Sequence, residues 1–97
     1  MERPKSEAAF AEAQKYIPGG VDSPVRALSA VGTTPIVAER AEGPYIWDVD
    51  GNRYTDLCMS WGVFLLGHNQ KDVTRAAEAA VRRGSSFGMC TAGETRL

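Results

Sequence analysis

Arg26 is the side chain in this sequence best equipped to hold an anion. The residues before it form a rigid approach, Pro18-Gly19-Gly20-Val21-Asp22-Ser23-Pro24-Val25-Arg26. A guanidinium presents a planar fork of donors that matches a carboxylate or phosphate through two parallel hydrogen bonds. Gly19 and Gly20 open backbone conformations closed to other residues, so the chain can turn sharply or approach a ligand closely. Pro18 and Pro24 fix φ, and each biases its predecessor, Ile17 or Ser23, toward extended geometry. Such a loop is stiff and loses little entropy when a ligand docks. Ser23 adds a hydroxyl donor. The same residue types also describe a plain connector after a helix, with Arg26 solvated or salt-bridged. The loop chemistry alone leaves both readings open.

Nothing else in the sequence supplies a reacting group to work beside this loop. Lys5, Lys15 and Lys71 sit in polar contexts with nothing to lower a pKa, so none is read as catalytic. The single histidine, His68, cannot build a metal site by itself, and its residue type is more often structural than catalytic. Cys58 and Cys90 lie far apart, belong to no CxxC motif and read as free thiols of a reducing compartment. Asp48-Val49-Asp50-Gly51-Asn52 has the acidic look of a calcium loop, but its glycine comes too early for an EF-hand and no glutamate closes it. No metal is expected. A binding element without a catalytic partner is what part of an enzyme would show.

The elements that must position Arg26 can be read from periodicity and punctuation. Ser6 to Ile17 predicts a short amphipathic helix with Phe10, Ala13 and Ile17 on one face, ended by Pro18-Gly19-Gly20. Pro35 to Glu39 predicts a short strand. Tyr45–Val49 and Arg53–Leu57 alternate around Asp50-Gly51-Asn52 and predict a β-hairpin. Asn69 to Arg83 predicts the strongest helix, with Asn69 as cap, Asp72 as its reciprocal partner and Gly84 after the end. Between hairpin and helix, Met59 to His68 is apolar enough that burial is expected. Gly93-Glu94-Thr95-Arg96-Leu97 reads as the opening of a further helix.

Bulk properties narrow the class. Ninety-seven residues allow at most one small domain, and 43% hydrophobic with 24% charged residues is ordinary for a globular chain. A net charge of −1 with interspersed signs argues against nucleic acid or an acidic membrane as partner. The first residues hold no apolar signal segment and no stretch is long enough to span a bilayer, so a cytoplasmic location is expected. One hairpin, one strand and two helices with few large aliphatics make a poorly balanced domain, and truncation explains that better than an odd complete fold.

Taken in order, the residues resemble a known family. Phe10-Ala11-x-Ala13, the Pro18–Arg26 loop, Val31-Gly32-Thr33-Thr34-Pro35, Glu42-Gly43-x-Tyr45 through Tyr54, Ser60-Trp61-Gly62, Leu66-Gly67-His68 and Ser86-Phe87-Gly88 follow one another with the family's spacing. The set is similar to the N-terminal portion of the glutamate-1-semialdehyde 2,1-aminomutases, within the class III aminotransferase group of fold type I pyridoxal-phosphate enzymes. The hairpin marks the group only, whereas the Gly-Gly-Val-x-Ser-Pro-Val-Arg loop points to the aminomutases.

The resemblance implies an α/β enzyme of which residues 1–97, α+β on their own, would be the N-terminal part. It implies the isomerisation of glutamate 1-semialdehyde to 5-aminolevulinate in tetrapyrrole synthesis, with pyridoxal or pyridoxamine 5'-phosphate as cofactor. The partners it implies are a small amino-aldehyde substrate and a second subunit in a homodimer. By position, Ser23, Val25 and Arg26 would hold the substrate carboxylate and Trp61 would line the pocket. Ser60, Gly62 and Thr91 would lie in the pocket or dimer region. The Schiff-base lysine and the large cofactor-binding domain are expected beyond Leu97, so the chain alone should not catalyse. Val63, Gln70-Lys71 and Met89–Gly93 depart from the family's usual residues. Another class III aminotransferase therefore stays open, as does a non-catalytic binding module.

Overall fold

The computed structural model describes all 97 residues as an α+β arrangement built around a three-stranded antiparallel sheet. The strands are β1 (Ala38–Glu42), β2 (Tyr45–Asp48) and β3 (Arg53–Thr55), in that spatial order. Around them lie helix α1 (Pro4–Ala13), three short 3-10 turns (Pro18–Gly20, Pro24–Ala27 and Ser29–Val31), the single turn α2 (Met59–Gly62), helix α3 (Lys71–Arg83) and the short helix α4 (Ala92–Arg96).

The hairpin forms where the alternation predicts it. Tyr45, Ile46 and Trp47 face Thr55, Tyr54 and Arg53. The predicted strand over 35–39 lies further on, at Ala38–Glu42. Pro35 lacks an N–H to give a ladder, and the close turn at Gly43-Pro44 sets Glu42 opposite Tyr45. A bulge leaves Glu39 unpaired between the Ala38–Asp48 and Arg40–Trp47 pairs. On the open face the Arg40 guanidinium lies 3.6 Å from the Trp47 ring centre, and Arg53 lies 4.6 Å from that of Tyr45.

Helix α1 starts earlier and stops sooner than its periodicity predicts. Pro4 occupies its first turn, where a missing N–H costs nothing, and Gln14 to Tyr16 turn away before Pro18. Its capping residue, Arg3, makes no side-chain cap. The cap comes instead from the hairpin turn. The Asp50 carboxylate accepts from the Lys5 N–H at 2.7 Å and from the Ser6 N–H and hydroxyl, both at 2.9 Å. Beside it the fully buried Asp48 accepts from the amides of Asp50 and Asn52, the Asn52 side chain and the Tyr54 hydroxyl. The calcium-like acidic run is thus a hydrogen-bonded clasp. Arg3 adds bonds to the Thr34 carbonyl and the Thr33 hydroxyl, and the Asn52 amide reaches the Glu2 carbonyl.

The buried centre of this chain is polar. Ser6 and Asp48 are completely covered, and no large apolar side chain is. The Cα radius of gyration is 17.3 Å, whereas a compact chain of this length has about 13 Å. Apolar side chains stand outside instead. The Met59–His68 stretch, expected to be buried, is open over most of its length, with Trp61 82% and Leu65 90% exposed. The correction has a simple cause, since no other element packs over it and α3, with no buried residue, only borders it in an open groove at Val73 and Thr74.

The cap of α3 also differs by one residue from expectation. Asn69 takes a left-handed backbone, φ 53, and its side chain accepts from the Thr74 hydroxyl. Gln70 is the cap, its Oε1 accepting from the Val73 N–H at 2.8 Å. Asp72 shares its carboxylate between Arg75 at 3.6 Å and the Gln70 side-chain amide, which donates to it at 3.4 Å, rather than pairing with Asn69. Gly84 ends the helix at φ 100 as predicted, and the predicted helical opening near Gly93 is α4.

Burial pushes the carboxyls of Asp48 and Asp50 upward, but the hydrogen bonds converging on each outweigh it and hold both below the usual 3.8. A carboxyl lowered in the folded state stabilises fully above its unfolded value and loses that contribution as pH falls through the lowered one. The clasp should therefore be intact from neutral pH to about 4 and open only below 3.8. Amide chemical shifts of Lys5 and Ser6 followed through an acid titration check this, and movement centred above 3.8 would contradict it.

Candidate functional site

The glycine-proline loop is held against α1 at one point. Gly20 is buried at φ 74, and a Cβ there would come within 2.5 Å of the Phe10 ring and 2.8 Å of Gln14 Cγ. No other residue type fits that contact with that backbone. The Gly20 amide donates to the Ile17 carbonyl at 2.8 Å, closing the first 3-10 turn. Val21 and Ser23 have extended backbones, and the chain bends through Asp22 into the second turn, Pro24–Ala27.

Ser23 caps that second turn with its backbone only. Its carbonyl accepts from the Arg26 N–H at 2.9 Å, and its hydroxyl makes no capping bond and stays available. Val25 and the Arg26 side chain are about two-thirds exposed. One guanidinium arm, Nη1, donates to the Asp22 carboxylate at 2.9 Å. The three residues expected to seat a carboxylate therefore share one short turn, with the guanidinium reachable from solvent. A shallow groove of roughly 450 Å³ runs beside it, lined by Phe10, Gln14, Pro18, Pro24 and Thr33.

The second set of residues occupies α2, which is helical in the wrong sense. Met59, Ser60, Trp61 and Gly62 have φ of 47°, 51°, 62° and 81°. A left-handed turn costs non-glycine residues about 1–2 kcal/mol each. The turn is anchored by Asp56, whose Oδ1 accepts from the amides of Cys58 and Met59 at 2.8 and 2.9 Å. Its Oδ2 accepts from His68 Nε2 at 2.6 Å. The hydrogen bond from His68, then the Met59 amide, hold the Asp56 carboxyl below its usual value against the opposing effect of burial. His68 in turn pairs its backbone with Gly43 in both directions at 2.9 Å and stacks on Phe64. Nε2 of that imidazole is held by Asp56 and its ring face lies against Phe64, both contacts that tie residue 68 to the turn. Sequence reasoning missed Asp56; the signal was an acidic residue three positions before an apolar turn and twelve before the lone histidine.

The chain does not bring all the candidate residues together. The packed pairs join β1 to β2, β2 to β3, α1 to the Pro18–Gly20 turn and that turn to the Pro24–Ala27 turn of Arg26, and none of them joins the Arg26 turn to α2, which carries Trp61. Thr91 is further on, its N–H and hydroxyl both donating to Glu94 at the start of α4. It lines a separate groove with Arg83 and Phe87. The lysines form no enclosed site: Lys5 and Lys71 are exposed and Lys15 pairs with Glu12. Cys58 and Cys90 are free and exposed. No helix is long and apolar enough to cross a membrane.

Known proteins match this arrangement. The family model for class-III aminotransferases matches residues 28–95. Curated relatives named glutamate-1-semialdehyde 2,1-aminomutase include that of Rhodopirellula baltica, 53% identical over 94 residues, and that of Thermus thermophilus, 56% identical over 88. These alignments cover 97% and 91% of this chain and 21% of each relative, so the chain spans about a fifth of their length. Among solved structures, a transaminase with PLP bound superposes over 99% of this chain and 22% of its own, with a TM-score of 0.90 and 30% identity. A glutamate-1-semialdehyde aminomutase from Pseudomonas aeruginosa superposes over 92% of this chain and 19% of its own, at 0.81 and 26%.

The two anchors yield separate expectations. Gly20→Ala combines a positive φ with overlap on Phe10 and should destabilise by about 2–3 kcal/mol, read as a lowered unfolding midpoint. Asp56→Ala frees both ends of the left-handed turn and should speed proteolytic cleavage within residues 57–66. A cleavage rate equal to wild type would remove Asp56 from that role.

Proposed function

This chain belongs to the class-III aminotransferase family, and on that premise we propose that it is the N-terminal portion of a glutamate-1-semialdehyde 2,1-aminomutase. The carrying observation is the 53–56% identity to proteins of that name across nearly all of these residues. The complete polypeptide would convert glutamate 1-semialdehyde to 5-aminolevulinate with pyridoxal phosphate, as a cytoplasmic homodimer. None of the lysines of residues 1–97 is read as the Schiff-base partner of that cofactor, since they are exposed or ion-paired. The Schiff-base lysine, the aspartate for the pyridine nitrogen and the phosphate loop are assigned to the rest of the polypeptide. The same remainder would cover the apolar Leu57–Leu66 surface and bring Trp61 to the pocket.

The contribution of this portion is recognition. Arg26 would pair with the substrate carboxylate, Ser23 would add its free hydroxyl, and Val25 would press on the carbon chain behind the carboxylate. Trp61 would wall the pocket, with Ser60 and Gly62 shaping its turn. Thr91 would lie at the pocket or dimer edge. Support for the first three is their common turn and the solvent-facing guanidinium. A bidentate seat suits a carboxylate because both oxygens are satisfied at once and orientation is fixed with it.

A second reading, a class III aminotransferase of different substrate, is favoured by the higher TM-score to the PLP-bound transaminase. Amino-donor dependence separates the two. The aminomutase forms product from glutamate 1-semialdehyde with no added amino acid, and an absolute need for an external donor would favour the alternative. Within the first reading, Arg26→Lys should raise KM about tenfold, because a point charge replaces one of two charge-assisted bonds. An unchanged KM would remove Arg26 from the carboxylate seat.

A further inference from the structure

We propose that Asp22 is a built-in competitor for Arg26, so that a ligand binds this loop by exchanging one carboxylate for another. The inference rests on the reading of Arg26 as the carboxylate seat. Asp22 Oδ1 accepts from Arg26 Nη1 at 2.9 Å, the contact a ligand carboxylate would make. Backbone geometry enforces the meeting. The Arg26 N–H bonds to the Ser23 carbonyl, and the turn so closed sets position 22 over position 26.

The pair has no other evident task. The Asp22 carboxylate receives no further hydrogen bond and Arg26 has no second acidic partner. The side chains are 78% and 68% exposed respectively. The other acids of the loops behave differently, since Asp48, Asp50 and Asp56 each collect several donors that hold the fold together. Asp22 can let go of Arg26 without cost elsewhere.

Exchange has two consequences for recognition. A ligand carboxylate gains only the difference between its own bonds and the one it displaces, so affinity is lower than an unpaired arginine would give. Asp22 engages one arm of the fork. A ligand carboxylate that engages both arms therefore wins the exchange, whereas a neutral amide or ester makes weaker bonds and competes less well. Asp22 is in this sense a specificity-determining residue that touches the seat rather than the reaction.

The test uses the full-length holoenzyme, with KM for the amino-aldehyde substrate and the inhibition constant of glutarate as a simple carboxylate probe. Asp22→Asn and Asp22→Ser should each lower both constants about two- to fivefold, the strength typical of an exposed pair, with a smaller change in kcat. In an Arg26→Gln background the same Asp22 substitutions should have no effect, which separates exchange from a general loss of negative charge. Unfolding midpoints establish that each variant is folded, and the serine variant serves if the asparagine one is not. Constants that stay level or rise in both Asp22 variants overturn the proposal while Arg26 keeps its role. Constants indifferent to Arg26→Gln itself overturn the seat and the competitor together.

Discussion

The grip of Asp50 on the first turn of α1 is the contact on which the rest of this chain depends. It joins residues 44 and 45 positions apart, Ser6 and Lys5, to a hairpin turn that is itself held by Asp48. A helix start leaves unpaired N–H groups, and a carboxylate there meets both the hydrogen-bond need and the helix dipole. Without it α1 would have no cap, and α1 is the surface against which Gly20 and the Arg26 loop are set. The placement of residue 26 thus begins with an acid at residue 50. Tyr54 takes part in the same cluster, where burial and the neighbouring Asp48 both raise its hydroxyl above the ordinary range and keep it a donor.

How much of this was legible in the sequence follows from the range of each interaction. The hairpin was readable because its signal is local, an Asp-Gly turn between alternating strands. The end of α3 at Gly84 was readable for the same reason. Its start was misplaced by one residue because the Gly43–His68 bridge, some 25 positions apart, bends Asn69 out of the capping conformation. The strand at Ala38 was displaced because register is chosen by its partner. Asp50 looked like half of a calcium loop, since nothing near it in sequence reveals that its donors lie on α1. The apolar run from Met59 was rightly seen as unusual. Its burial cannot come from 97 residues that hold no apolar core.

The site itself divides along the same line. Ser23, Val25 and Arg26 were legible as a unit because a Pro/Gly frame fixes them within one turn. Trp61 and Thr91 were reached only through the family resemblance, and the chain leaves them on separate surfaces. What the structure adds is the pair of acids that position the two sets, Asp22 beside the arginine and Asp56 under the left-handed turn. Neither belongs to a motif whose spacing announces it.

Finally, the two stacked arginines of the sheet bear on how such an open surface survives in solution. Arg40 and Arg53 lie over Trp47 and Tyr45, so a face built from rings presents guanidinium to whatever approaches. The outer strands continue the theme, with β1 charged and bulged at Glu39 and β3 only three residues long. A foreign strand seeking an edge to pair with, or a second sheet seeking a greasy face to stack on, meets repulsion and poor register at each. The sheet carries its own protection against aggregation, written in its charged and bulged edge and in the arginines over its rings.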